Sequence, residues 1–407
     1  MLYLVMQLKY LRLSFYNMER IELGEEKIFY TMMLFALASF LSIAVGNIFL
    51  GIAVLVYLLY AYKNGVFIAD GARKYYHIIG FFILTMLLSA IGSGHVGKGL
   101  KTWADLWIWR LMPFVILTTA IKDHIKVKRI LCAALVGVLI GVLCVDYQGF
   151  HGDYRAAGFF GNPMTFGGYL CIYLPVLLVM FFEKDILQRY RYLAGAGFIL
   201  SFIALLFNGT RGAWVALIPV FILIMGYYAL TNKKYLALCL VAIIGAGALL
   251  STNQIFVDKV KSITSITNRS NTERLLIWQS AYNMFKDHPV LGVGLGQYKD
   301  NYQKKYILPQ ATEKYLEHAH NNFLQMLAEN GIVGFIGFVV MLSYIIGRNL
   351  VDFCKKRCPY SLIIASSTLA LVLQGLTEYN FGNSAVMKSY WLMLGCVLMM
   401  KEKLKQK

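Results

Sequence analysis

The residues of this chain best suited to chemistry are one histidine and three arginines. His320 opens the string His320-Asn321, nine residues, Gly331-x-x-Gly334. A neutral imidazole, with an ordinary pKa of about 6.5, can take up a proton near neutral pH. Arg155 lies in Arg155-Ala156-Ala157-Gly158-Phe159-Phe160-Gly161-Asn162-Pro163, Arg211 in Asn208-Gly209-Thr210-Arg211-Gly212, and Arg274 four residues before Trp278. A guanidinium at a lipid boundary commonly snorkels to phospholipid phosphates or pairs with a carboxylate. Several converging beside glycines make a different device, an anion site, because arginine stays charged and its planar fork grips phosphate oxygens in two places. A single histidine where a loop enters a helix is more often an interfacial hydrogen-bonding residue. Here Asn321 and the spaced glycines mark it out.

The elements that must position these side chains follow from composition. The 407 residues are 58% hydrophobic and 15% charged, with a mean hydropathy of +0.60, whereas a soluble domain carries about a quarter charged residues. The apolar residues cluster into blocks of about 16 to 25, long enough to cross a hydrocarbon core of roughly 30 Å. Lipid offers no partner to a free backbone N–H or C=O, so such blocks must be helical. The expected fold class is therefore an all-α polytopic membrane protein of about 12 transmembrane helices with one long loop on the non-cytoplasmic side. On a soluble protein the net charge of +18 would suggest nucleic acid. Here the cations sit in short loops between apolar blocks, which is a topology signal, and no nucleic-acid partner is expected. The seven cysteines read as unpaired, and no cluster has metal-ligand spacing.

The candidate spans are 28–45, 47–62, 75–92, 103–121, 130–147, 165–182, 192–207, 214–231, 235–251, 322–346, 361–378 and 386–400, the first two divided by a tight turn at Gly46-Asn47. No cleavable signal peptide is expected, because the first long apolar block begins near Ile28. Lys9 to Lys27, Lys63 with Arg73-Lys74, Lys122 to Arg129, Lys184 to Arg191, Lys233-Lys234, Arg348 to Arg357 and Lys401 to Lys407 then share one face, cytoplasmic by the positive-inside rule. The expected organisation is helices one to nine over 1–251, a partly helical outer segment over 252–320, and helices ten to twelve with a cytoplasmic tail over 321–407.

Within the outer segment, Asn271 to Asp287 reads as an amphipathic helix. Leu275, Trp278, Tyr282 and Phe285 recur at intervals of three and four, Asn271 is the expected N-cap, and His288-Pro289 ends it. Gly292, Gly294 and Gly296 follow as an expected flexible loop. They form no dinucleotide fingerprint, since no strand precedes them. Arg110 lies inside span 103–121 near Trp107 and Trp109, where snorkelling or pairing with another helix is the expected fate. Asp146 and Asp153, near Arg155, are candidates for salt-bridge partners or acceptor contacts, the structural role being the expected one, and His318 is expected as an exposed or supporting group.

The histidine string resembles the motif of the O-antigen ligase family: His, then Asn, Ser or Gln, nine residues, Gly, two residues and a small residue. The Gly209-Thr210-Arg211-Gly212 turn, the Arg274-x-x-x-Trp278 helix and Pro289-Val290-Leu291-Gly292-Val293-Gly294 also look like that family's signatures. The specific part of the likeness covers roughly residues 150–335. The resemblance implies a GT-C-like fold, that of the membrane-embedded, lipid-dependent glycosyltransferases. It also implies a donor glycan on undecaprenyl pyrophosphate, an acceptor sugar hydroxyl on lipid A core, and residence in the bacterial inner membrane with the active site facing the periplasm. It assigns Arg211 and Arg274 to the pyrophosphate and His320 to the base, with Arg155 and Asn321 as further substrate-binding candidates. No cofactor or metal is expected: Asp153, Asp258, Asp287 and Asp300 are scattered rather than paired, and arginine can replace the metal. Membrane lipids are expected neighbours, and the chain reads as a monomer.

Two other readings compete. An O-antigen polymerase, whose outer loops carry Arg, ten residues, Gly, uses the same donor; here that register falls on Phe166, Ile222 and Phe285. A protein O-oligosaccharyltransferase shares the histidine motif but tends to be longer. A polysaccharide transporter would call for internal repeats and broken helices at the midplane, and the sequence has no such repeat.

Overall fold

Apolar stretches separated by short polar breaks become helices throughout the computed structural model, which describes residues 24–92, 94–251, 253–265 and 268–405. The described residues contain no strand. The helices run α1 (24–38), α2 (Ile43–Asn64), α3 (Asp70–Gly92), α4 (Val96–Ala104), α5 (Met112–Thr119) and α6 (His124–Phe150). Then come α7 (Pro163–Phe182), α8 (Lys184–Leu187), α9 (Arg191–Asn208), α10 (Arg211–Thr231) and α11 (Lys233–Ser251). After these follow α12 (Gln254–Thr264), α13 (Arg269–Asp287), α14 (Tyr298–Asn301), α15 (Asn322–Lys356), α16 (Pro359–Gln374) and α17 (Ser384–Lys405). Seven of the described helical segments are long and apolar enough to cross a membrane: α2, α3, α6, α7, α8 with α9, α10 and α15. The chain is thus a multi-pass helical protein. The cations from Lys9 to Glu19's neighbour Arg20, the stretch bearing on a signal peptide, and Lys407 lie outside the described residues, as does the side chain of Cys239.

Each expected span coincides with helix, but several boundaries move for identifiable reasons. The break between the first two helices falls at 39–42 rather than at Gly46-Asn47, because Ser42 caps α2 by accepting a hydrogen bond from the Val45 N–H. Gly46 instead lets α2 approach the Ser39 backbone closely. The stretch 103–121 is not one helix: α4 passes into a π-helical turn (Asp105–Trp109) before Pro113 opens α5. The stretch 361–378 ends as helix at Gln374, followed by a turn at Gly375–Thr377 and a single 3-10 turn (Asn380–Gly382).

Helix α7 is the centre of the bundle and packs against α9, α10, α16 and α17. Its successive residues from Thr165 to Met180 are buried on every side, as expected of a helix apolar all round. Gly167 and Gly168 let Thr210 and Val386 come close, the small-residue packing that membrane helices use in place of a hydrophobic drive. A second, smaller cluster lies in the outer segment. There Ile277, Ala281 and Met284 of α13 meet Tyr298, Tyr302, Tyr306 and Ala319, and the cluster closes on Ala328 of α15.

That contact corrects the reading of α13. Its N-cap is Asn268, whose side chain accepts from Ser270 N–H. Asn271 lies inside the helix and donates to the carbonyls of Ser262, Ile263 and Ser265. The helix turns Ile277, Ala281 and Met284 inward while Leu275 and Tyr282 stay exposed.

Candidate active site

Four segments far apart in sequence deliver the site, and each is held by its own local chemistry. Arg211 is the first residue of α10. The turn before it is fixed by Asn208, whose amide donates to the carbonyls of Ala156 and Pro163 and whose carbonyl accepts the Thr210 hydroxyl at 2.5 Å. Gly209 adopts φ +64°, and a Cβ there would strike the Tyr154 carbonyl, so glycine is required. Arg211 donates to the Ser262 carbonyl at 2.8 Å and its hydroxyl at 3.0 Å. That ties α10 to the outer segment without neutralising the guanidinium.

Arg274 sits in the second turn of α13, half-buried, and makes no hydrogen bond or ion pair with another described residue. Burial pulls its pKa down; Glu378 opposes that shift, while Arg211 and Arg155 reinforce it. Those interactions place all four charges within electrostatic reach of one another. Arg155 is exposed on the 151–162 loop. The expected ion pairs are not made: Asp153 accepts from the Arg155 backbone N–H at 2.8 Å, and both carboxylate oxygens of Asp146 are buried without a partner. The outer arginines therefore converge as a group of cations with no carboxylate within ion-pairing distance among the described residues.

His320 precedes α15 with a left-handed backbone, φ +48°, a conformation that costs a non-glycine residue energy and persists only where its surroundings dictate it. Several bonds do so. Ala319 N–H donates to the Gln325 side chain at 2.7 Å. The Asn321 side chain accepts from Phe323 and Leu324 N–H and donates to the Leu376 carbonyl. Asn322 N–H reaches the Gly375 carbonyl at 2.7 Å, and its amide reaches Asn380 at 2.7 Å. Asn321 is thus a helix cap whose side-chain groups are spent within the protein.

The glycines of the histidine string explain themselves structurally. Gly331 has φ +58° and breaks α15. The segment after α13 enters this break: Val293 and Gly294 N–H donate to the carbonyls of Ala328 and Glu329, while Ile332 and Val333 N–H donate to those of Pro289 and Val290. A Cβ on Gly331 would lie 2.4 Å from the Val290 backbone. Gly292, Gly294 and Gly296, expected as a flexible loop, are instead clamped here at positive φ. The motif therefore docks α13, with Arg274, onto the helix that carries His320.

The sequence reading missed one part, the turn after α16. His320 Nδ1 lies 3.3 Å from Glu378 Oε2. His318 and Tyr379 rings touch, with centroids 5.5 Å apart. A Cβ on Gly212 would lie 2.1 Å from the Thr377 hydroxyl, so the Arg211 turn packs against the same segment. Arg110 is held there too, donating to the Gly382 carbonyl at 2.7 Å. Burial raises the Glu378 carboxyl, but the His320 hydrogen bond and the charges of His320, His318 and Arg274 outweigh it and hold it below the ordinary range. Burial, and then His320, push His318 down to about 4, so it is neutral at physiological pH. Lys259 is a second missed residue: burial and then Arg155 lower it to about 8. It donates to the Tyr154 carbonyl beside Gly209. A lone acid at the end of an apolar span was the available signal for Glu378; Lys259 had none.

Donor atoms of His318, His320 and Glu378 lie within 4.8 Å of one another. As a metal cradle the set fits poorly, because Arg274 already acts on the same carboxylate and a divalent cation would be set against it.

The fold is that of a multi-pass helical membrane protein, and at one end of it arginines gather near His320. Residues 196–339 match the model of the O-antigen ligase family, which supports membership of that family. The matched segment holds Arg211, Arg274 and His320 and ends inside α15. The family supports a reaction of the O-antigen ligase or polymerase type on lipid-linked glycans, in a membrane lipid environment. The chain is also 26% identical over 301 residues to an uncharacterized protein of Haemophilus influenzae, covering 67% of this chain and 75% of that protein.

Proposed function

We propose that this protein is an O-antigen ligase of the bacterial inner membrane. It would transfer a glycan from undecaprenyl pyrophosphate to a sugar hydroxyl of lipid A core, without a metal. With twelve spans, both termini would be cytoplasmic and Arg155, Arg211, Arg274 and His320 would lie at the periplasmic face. The observation that carries the reading is the group of arginines lacking carboxylate partners beside His320.

In the reaction the acceptor oxygen attacks the anomeric carbon, and the bond from that carbon to the pyrophosphate oxygen breaks. The electron pair leaves with undecaprenyl pyrophosphate, and the hydroxyl proton passes to the His320 imidazole, which later releases it to water. Negative charge on the leaving group grows along this path. Fixed guanidinium groups therefore stabilise the transition state more than the ground state, and only that difference accelerates the step. Arg211 and Arg274 would hold the pyrophosphate, with Arg155 at its exposed edge. Asn321 would serve through the cap that fixes His320.

The test is complementation of a ligase-null strain, scoring long-chain glycan on lipid A core. The wild-type protein should restore it, and His320→Ala and Arg211→Ala should not; removing a general base costs about 10²–10⁴-fold. Full restoration by both variants removes the site. Glycan lengthened on the lipid carrier, with none on lipid A core, would move the protein to the polymerases.

A further inference from the structure

We propose that Glu378 positions His320: its carboxylate accepts the Nδ1–H of the imidazole and leaves Nε2 free to take the acceptor's proton. This rests on the reading of His320 as the base and adds the group that sets its tautomer. A ring nitrogen becomes the acceptor when the other is tied to a hydrogen-bond partner, and a base oriented by a third group is the arrangement that activated alcohols generally require.

The juxtaposition is built by the fold. Fifty-eight residues separate the two side chains, and three bonds from the segment after His320 stitch them together: Asn321 to the Leu376 carbonyl, Asn322 N–H to the Gly375 carbonyl, and the Asn322 amide to Asn380. A Cβ on Gly375 would lie 2.1 Å from the Asn322 amide nitrogen, so the approach of the two segments depends on that glycine. The 3.3 Å separation is loose for a charge-assisted bond, as such contacts often are before substrate tightens them. The charged and titratable groups facing the pair are His318, Arg274, Glu317 and Tyr379. His318 does not compete for Glu378. Its Nδ1 faces the His320 backbone N–H at 3.3 Å, and it remains neutral. The buried carboxylate is thus left to His320 and Arg274. It would stabilise the imidazolium that forms as the proton moves, much as Arg274 stabilises the leaving group.

The experiment uses full-length protein in nanodiscs with an undecaprenyl-pyrophosphate-linked glycan and lipid A core. It compares wild type, Glu378→Gln, Glu378→Asp and His320→Ala. Glu378→Gln should lower kcat on the order of 10²-fold, the smaller end of what a general base supplies, with KM for both substrates and the melting temperature unchanged. Glu378→Asp should recover part of the rate. Nitrogen NMR of histidine-labelled protein should show, besides the Nδ1–H of His151 against the Tyr147 carbonyl, a second Nδ1–H signal that is absent in His320→Ala and shifted to Nε2–H in Glu378→Gln. Chelator should change nothing. Wild-type rate in Glu378→Gln, or an unchanged tautomer, overturns the proposal. So does activity that chelator abolishes and zinc restores. Should Glu378→Gln melt early, the tautomer and rate of Glu378→Asp decide in its place. Wild-type activity in His320→Ala would instead sink the base itself, whereas an inactive His320→Ala beside a fully active Glu378→Gln strikes only Glu378.

Discussion

The two ends of the helix bundle carry the same kinds of charged residue and treat them in opposite ways. At the far end of α15, some 30 residues and roughly 45 Å of helix from His320, Asp352 is clasped by buried Lys401 at 2.8 Å and by Arg348 at 3.5 Å. Lys126 likewise meets Glu26 at 2.8 Å. At the His320 end, exposed lysines also find acids, as in Lys98 with Asp300 and Lys305 with Asp287, both at 2.6 Å. Arg155, Arg211 and Arg274 do not, although Asp153 and Asp146 lie close in sequence to the first. Charge that must only be tolerated at a membrane boundary is paired. Cations kept together with no carboxylate in ion-pair contact, against their mutual repulsion, are what an anion site needs before its ligand arrives.

If that contrast is right, substitutions at the two ends separate stability from turnover. The largest effect is expected at the paired end. Lys401→Ala leaves Asp352 buried without its closest cation, and breaking a buried pair costs about 3–5 kcal/mol. Arg348 remains, so the lower part of that range is expected, read as a lowered unfolding midpoint in detergent while turnover per folded molecule stays normal. At the unpaired end, Arg274→Ala should do the reverse. Its guanidinium has no hydrogen-bond partner among the described residues, and its removal relieves repulsion with Arg211 and Arg155 while losing the attraction to Glu378. With attraction and repulsion offsetting each other, the melting temperature should change little, while kcat falls about 10²–10³-fold, equivalent to about 2.7–4 kcal/mol. A melting loss without a rate loss would make Arg274 a structural residue and dissolve the comparison.

How much of this was legible in the chain depends on whether the information is local. Apolar blocks and their lengths reveal helices because lipid forces backbone bonding within the segment, and the expected spans fall mostly on helix, seven of the described segments being long and apolar enough to cross a membrane. The outer arginines and His320 stood out as charges where the positive-inside pattern predicts few. Interruptions set by a single contact were not legible: Ser42 capping α2, the π-helical turn before α5, and the break at Gly331, which exists only because residues 289–294 fill it. Glu378 was hidden for a different reason. The expected span 361–378 runs on through it, and its partner is 58 residues away, a separation that no periodicity encodes. The helix stops at Gln374 because the following residues are bonded to the start of α15 instead.

The smallest effect, and the sharpest test of the cation group, concerns Lys259. Its amine is lowered to about 8 by burial and by Arg155, with Arg211 adding to the shift, so it sits among the same charges as the arginines yet can lose its own. Below pH 8 it is a further cation beside the arginines proposed to hold the pyrophosphate; above, it is neutral. A group whose pKa is depressed by neighbouring cations regains proton affinity when an anion binds, so binding is favoured at pH 7 and weakens as pH rises through 8. Undecaprenyl pyrophosphate affinity should therefore fall a few-fold between pH 7 and pH 9, about 1 kcal/mol for a partly exposed pair. Lys259→Arg keeps its charge across that range and should flatten the dependence, while Lys259→Ala should flatten it at the weaker level. An equal fall in all three proteins would place the titration elsewhere and leave Lys259 as a tether for the Tyr154 carbonyl.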